Sequence, residues 1–176
     1  MPTARMAPTR AFHGTTAVFD RFARVAGGNM WGAGYYFAED PRDAEAYACD
    51  EFPNRIAPVG GGRPRVVEVA LRIRKPFDMD APATAALVRK LGRLVKVNLM
   101  PYTWRDMIGA DVRQVLYQQA AASWEDANDV LRKAGFDALQ GRSPIAAMRG
   151  GRTYMIFDAA AVEIVESAFT ACQRGR

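Results

Sequence analysis

Strand-like segments crowd both ends of this chain of 176 residues, and a long helical stretch lies between them. That distribution constrains the fold more than any single motif. Thr9 to His13 reads as a short strand, and Tyr35 to Ala38 as a second, entered through Gly32 and Gly34. Val67, Val69, Leu71 and Ile73 alternate with Glu68, Ala70, Arg72 and Arg74, the period-two pattern of a half-buried strand that ends at Lys75-Pro76. From Pro82 to Leu99, and again from about Trp104 to Ala122, Leu, Val, Met and Ala recur at helical spacing. Ser123-Trp124-Glu125-Asp126 opens a further helix, which Gly135 ends. Strands return at Asp137 to Gln140, Thr153 to Phe157 and Val162 to Val165. Strands on either side of a helical middle, with no regular βαβ alternation, predict an α+β fold in one compact domain rather than a doubly wound parallel sheet.

The segments between these elements carry their own signals. Asp40-Pro41-Arg42-Asp43 starts a helix: Asp40 can cap it, Pro41 suits its first position, and Asp43 meets its positive end. Phe19, Phe22 and Val25 can form one apolar turn before Gly27-Gly28-Asn29. Phe52 to Pro64, with Gly60-Gly61-Gly62, and the stretch Gly141 to Arg152 read as loops, the first a candidate lid. Cys49 and Cys172 have no metal-type spacing and too few companions for a disulfide framework, so both are read as free thiols.

No apolar run approaches the roughly 20 residues that span a bilayer, and the start of the chain lacks the apolar core of a signal peptide. The expectation is a soluble, cytoplasmic protein, or one delivered by a route that needs no signal peptide. A net charge of +5 attracts anions, whether a dinucleotide's pyrophosphate, a nucleic acid or an acidic protein, and does not choose among them.

Chemistry-bearing residues fall into three separated segments. His13 is the only histidine, next to Gly14, Thr15 and Thr16 at a strand end, where an imidazole can serve catalysis or a buried polar contact. Trp31-Gly32-Ala33-Gly34-Tyr35-Tyr36-Phe37-Ala38 places an aromatic strand after small residues, and a capped helix bearing Ala44 and Tyr47 follows it. Gly32-x-Gly34 is no dinucleotide fingerprint, because a third glycine is missing and the run leads into a strand instead of a helix. The third segment is Arg152-Thr153-Tyr154-Met155-Ile156-Phe157-Asp158.

His-Gly-Thr, then Gly-x-Gly-x-Tyr-Phe-Ala, then a helix with Ala-x-x-Tyr-Ala resembles the first two motifs of the PARP-like, diphtheria-toxin-type ADP-ribosyltransferases. The third segment is similar to that family's last motif strand. The resemblance implies a split antiparallel β core with flanking helices, here with a helical insert at about 80–134. It also implies NAD as co-substrate and no metal. His13 would donate to the ribose beside the nicotinamide, Gly14 would offer its backbone to the carboxamide, and Tyr36 and Tyr47 would sandwich the ring. His13, Tyr36 and Thr153 are thereby the catalytic candidates. His13, Gly14, Thr15, Tyr36, Phe37, Ala44 and Tyr47 are the donor-binding candidates.

Two positions depart from the family pattern. Thr153 stands where polymerising members carry a glutamate, and a hydroxyl brings hydrogen bonding but no charge. Glu163 and Glu166 follow nearby, and simple alternation puts them on opposite faces of their strand, so at most one, with Glu163 the candidate, could supply the missing acid. Ala44 replaces a serine that contacts the carboxamide in many members, and Thr15 or Thr16 is the candidate to compensate. The resemblance therefore implies a mono-ADP-ribosyltransferase acting on a protein, RNA or DNA, in a toxin or effector setting, as a monomer away from membranes. A non-catalytic NAD- or ADP-ribose-binding module and an NAD glycohydrolase are the alternatives.

Overall fold

The computed structural model describes residues 7–22, 31–49, 62–99, 104–121, 123–142 and 151–169. Its strands are β1 (Thr9–Thr15), β2 (Tyr35–Ala38), β3 (Arg65–Leu71), β4 (Pro76–Asp78), β5 (Ala138–Arg142), β6 (Arg152–Ile156) and β7 (Val162–Phe169). Its α-helices are α1 (Pro41–Ala48), α2 (Ala85–Val95), α3 (Gly109–Ala120) and α4 (Trp124–Lys133). The Gly27-Gly28-Asn29 segment, Val25, most of the 52–64 loop and residues 143–150 lie outside the described residues.

All seven strands join one sheet in the order β4-β5-β6-β2-β1-β3-β7. Every neighbouring pair is antiparallel except β4 and β5, which run parallel. The fold is thus the expected mixed α+β architecture, with one parallel pair that the sequence pattern did not announce. The sheet falls into two halves, because β1 and β2 share a single residue pair, Phe12 opposite Ala38.

Register assigns the faces. Phe77, Leu139, Met155 and Tyr36 lie on one face across β4, β5, β6 and β2, and α2, α3 and α4 bury Val88, Leu91, Val112, Leu116 and Leu131 with them. The helix α1 packs on the same side, chiefly over β1. Ala11, Val67, Val69, Leu71, Phe37, Tyr154 and Ile156 form the core of the opposite face, covered by Phe19, Phe22, Val162 and Ile164. Fully burying a large aliphatic side chain contributes about 1.5–3 kcal/mol, and the second core draws on strands of both halves, so its burial helps bind them together.

Helix ends follow their local signals. The Asp40 carboxylate accepts from the Arg42 amide at 2.8 Å, Thr84 accepts from the Leu87 amide at 3.2 Å, and Ser123 accepts from the Asp126 amide at 3.1 Å. Where expected bounds fail, a long-range contact is the cause. The first insert helix starts at Ala85 instead of Pro82, because Pro82 forms a bridge with Ile108 and Thr84 takes the cap. The second starts at Gly109, whose missing side chain lets it lie against the Asp78 carbonyl. The strand β3 stops at Leu71, not Arg74. The Arg72 amide turns to the Ala161 carbonyl, and the Arg74 and Lys75 amides bond the Asp137 carboxylate at 2.8 and 3.0 Å.

Two expectations are corrected. Cys49, read as a free thiol, is disulfide-bonded. Sequence spacing does not report the few-ångström approach that a disulfide needs; Cys172 lies outside the described residues. Glu163 and Glu166 share one face instead of opposing each other, because the register of β7 shifts opposite Glu68 and Val69, so that Ala70 pairs Glu163 and Glu68 pairs Glu166.

The approach of α1 to β1 depends on Gly14, where an added Cβ would sit 1.8 Å from the Ala44 carbonyl oxygen. Gly135 has φ +86° and nothing within 4 Å of such an atom. Gly14→Ala should therefore cost about 3 kcal/mol or more of unfolding free energy, since a backbone carbonyl cannot step aside. Gly135→Ala should cost about 1 kcal/mol, from the left-handed backbone alone. Urea denaturation of the two variants checks this, and equal losses would show that α1 is not seated on residue 14.

Candidate active site

Beyond Phe12 and Ala38 no ladder pair joins β1 to β2 among the described residues. The strand β1 continues through His13, Gly14 and Thr15 paired to β3, and Tyr36 and Phe37 pair only to β6. The imidazole of His13 reaches across the parting, with Nδ1 2.8 Å from the Tyr36 carbonyl oxygen. A carbonyl can only accept, so Nδ1 carries the proton and Nε2 of the neutral ring keeps a lone pair. Burial pushes the imidazole below its ordinary pKa, with the Tyr36 carbonyl partly opposing, so the neutral form prevails at pH 7. Phe19, Phe22 and Phe37 surround the ring at centroid distances of 6.1, 5.2 and 5.8 Å.

Tyr36 points to the helix-bearing face, where its hydroxyl donates to the Gly32 carbonyl at 2.5 Å and accepts from the Trp31 amide at 3.2 Å. Burial raises the phenol well above its ordinary range; the Trp31 main chain and Arg113 oppose that shift, and Tyr47 and Glu125 add to it. The hydroxyl is a neutral anchor engaged on both sides, which leaves the ring as the part of Tyr36 that can meet a ligand. Tyr47, three residues beyond Ala44 on α1, is 38% exposed and close enough to Tyr36 to act on its titration.

Register separates the candidates into two groups. Gly14, Tyr36 and Thr153 face the side that carries α1, with Ala44 and Tyr47 on that helix. Thr153 lies between Ala38 and Gly141. His13, Thr15 and Phe37 face the opposite side, and only the His13 ring crosses to Tyr36. Phe37 is 2% exposed in the aromatic cluster, and the Thr15 hydroxyl accepts from the Ala17 amide at 3.1 Å. Ala44 is buried under its own contact with Gly14. Glu163 is paired to Arg72 at 2.7 Å on β7, two strands from β1, so it does not stand in for an acid at Thr153. Among the described residues no group of three or more His, Cys, Asp or Glu side chains could hold a metal ion.

Sequence reasoning missed Arg113, Asn128 and Glu125 in the insert. Arg113 is 2% exposed, and burial brings its guanidinium down to about 10, with Tyr36 and Glu125 opposing. Asn128 is buried beside Ala127 and Leu131, and a polar residue in phase with the apolar face of α4 was the one available signal. Nothing in the spacing of Arg113 or Glu125 distinguishes them from surface charges.

A family model described as ADP-ribosyltransferase in polyvalent proteins matches residues 6–165. No match was found among curated proteins or solved structures. The matched span runs from before β1 into β7, and so takes in both halves of the sheet, all three motif segments and the helical insert. The chain belongs to the ADP-ribosyltransferase family of polyvalent proteins.

Proposed function

We propose that this protein is a mono-ADP-ribosyltransferase of PARP-like type that takes ADP-ribose from NAD, releases nicotinamide and joins the sugar to a macromolecule. The observation that carries the reading is the parted β1–β2 seam, bridged by His13 and Tyr36 and overlain by α1 at Gly14. Nicotinamide lies between Tyr36 and Tyr47, since a flat cationic heteroaromatic ring is attracted to electron-rich ring faces. The main chain of Gly14, on the edge where β1 has no ladder with β2, takes the carboxamide. His13 accepts from a ribose hydroxyl through Nε2. This amends the expectation that it donates, because the proton is already committed to the Tyr36 carbonyl through Nδ1.

In the reaction the bond from the ribose C1′ to the nicotinamide nitrogen breaks, and its electron pair leaves with neutral nicotinamide. An acceptor heteroatom gives a pair to C1′ and releases its proton to solvent. Thr153 can hold a hydroxyl of the sugar or acceptor but cannot offset the positive charge that develops on the sugar, which favours one transfer over chain elongation. The acceptor is a protein side chain, RNA or DNA, drawn by the basic surface. Such an activity suits a toxin or effector by analogy.

Incubation with NAD labelled on the adenylate, plus lysate divided into protein and nucleic-acid fractions, tests the reading. Label should enter one fraction with the wild type and fall by about 100-fold or more with His13→Ala and with Tyr36→Ala. Thr153→Ala should cost less than about tenfold, the worth of one hydrogen bond, and Thr153→Glu should raise NAD hydrolysis. Label released only as free ADP-ribose would make the protein a glycohydrolase, and intact NAD with folded wild type would make it a binding module.

His13 also predicts a pH dependence of stability. Its folded pKa is depressed below the ordinary 6.5, so below that pH the unfolded chain takes up the proton first. Stability is therefore retained above about pH 6.5 and lost as pH falls from there through the folded value. The stability difference between wild type and His13→Gln should be flat from about pH 7 to 8 and shrink on acidification. A difference that grows on acidification would mean that the ring is charged in the folded state.

A further inference from the structure

We infer that the helical insert is a working part of the donor site, with Arg113, Asn128 and Glu125 as positioning residues that set the Trp31–Gly34 loop and, through it, the ring of Tyr36. The consequence for NAD rests on the proposed donor pocket, whereas the contacts to the loop stand without it.

Four main-chain groups of Trp31, Gly32 and Ala33 are held from two sources among the described residues. The insert holds two. The Trp31 carbonyl accepts from Arg113 Nη2 at 2.7 Å and from Asn128 Nδ2 at 2.8 Å, and the Ala33 amide donates to Glu125 Oε1 at 3.0 Å. Tyr36 holds the other two through its hydroxyl, at the Gly32 carbonyl and the Trp31 amide. The loop is therefore clamped between the insert on one side and Tyr36 on the other, and a shift at Trp31 must move the phenol that is tied to the Trp31 amide and the Gly32 carbonyl.

The clamp is itself braced. Arg113 Nε donates to Asn128 Oδ1 at 3.1 Å, closing a three-cornered set with the Trp31 carbonyl. The guanidinium lies 4.2 Å over the Trp124 ring, which stacks on Tyr117 at 4.2 Å and 17°. Gly32 takes φ +86°, and a Cβ there would come within 3.0 Å of Asn128 Nδ2 and 3.1 Å of Trp124 Cβ, so the loop touches the insert as closely as backbone allows.

Arg113 has no carboxylate within 4 Å among the described residues. An apolar residue of similar volume would fill the site at lower electrostatic cost, because a buried cation gives up hydration that only good geometry offsets. What the guanidinium brings, and an apolar residue cannot, is a fixed pair of donors aimed at the Trp31 carbonyl and Asn128. Trp31 itself belongs to the insert's core, so loop and insert are packed as one body.

The test compares full-length wild type with Arg113→Met, Arg113→Lys, Glu125→Ala and Glu125→Gln in two measurements. Hydrogen exchange at the Trp31–Gly34 amides reads the clamp directly and needs no NAD; NAD kinetics read its consequence. We expect Arg113→Met and Glu125→Ala to speed exchange in the loop by roughly tenfold or more while the β1 and β3 amides keep their protection. The KM for NAD should rise by a similar factor, with a smaller change in kcat. Arg113→Lys and Glu125→Gln, which keep one donor and one acceptor, should recover part of both effects. Arg113→Met and Tyr36→Phe should combine to less than the product of their separate effects on KM, because they act on one loop.

Unchanged loop exchange in folded Glu125→Ala and Arg113→Met overturns the inference whatever NAD does. Faster exchange with an unchanged KM in an active enzyme overturns the donor-site role. A wild type that leaves NAD intact while its variants lose loop protection overturns the proposed reaction and leaves the clamp standing. If Arg113→Met fails to fold, Glu125→Ala, whose carboxylate touches the loop at a single amide, decides alone.

Discussion

The seating of α1 on β1 at Gly14 is the contact on which the candidate site depends. A helix lies this close to a strand only where the strand presents bare backbone, and the Ala44 carbonyl occupies the place that a side chain would take. From that seat follow the depth of α1, the height at which Tyr47 stands over the sheet, and the separation of Tyr47 from Tyr36. The Asp40 cap and Pro41 set where the helix begins, so its rotation about its own axis is decided before it reaches the strand. The seam between the two half-sheets runs along the β2 side of that seat. Among the described residues it is held by one ladder pair and one imidazole in place of a continuous ladder.

A second organising element is the joint between the loop ahead of β2 and the insert. Residues roughly 80 to 100 positions apart in sequence meet there, and their bonds are mostly from side chain to main chain. Such bonds fix the backbone itself, where pairs of side chains would leave it free to shift. With Trp31 inside the insert's core, the aromatic strand inherits its entry angle from helices that the motif segments never mention. The insert is thus bound into the structure and is not an appendage on its surface.

Several carboxylates of the sheet are engaged. Glu39 accepts from the Arg152 amide at 3.1 Å, Asp80 accepts from the Arg142 amide at 2.8 Å, and Glu163 is paired to Arg72 on the outer strand. These carboxylates hold strand ends and edges. None of these three takes the position that a glutamate at residue 153 would have.

Local chemistry decided much of this protein in advance. The alternation from Val67 to Leu71, the Asp40, Ser123 and Gly135 helix signals and the aromatic run at Tyr35 to Ala38 each act over a few residues, where propensity, capping and periodicity are physically complete. The order of the three motif segments and the α+β class were readable for the same reason. Tertiary structure alone decided the rest. It put His13 on the face opposite Tyr36, because which residues of two strands share a face is set by their pairing across the sheet and not by either sequence. It placed Glu163 and Glu166 on one face through a register shift that depends on the partner strand. It paired Cys49, cut β3 short at Leu71 with contacts from Ala161 and Asp137, and made Arg113 an interior residue. Each of these depends on a neighbour distant in sequence, and a pattern read along the chain carries no information about which neighbour that will be.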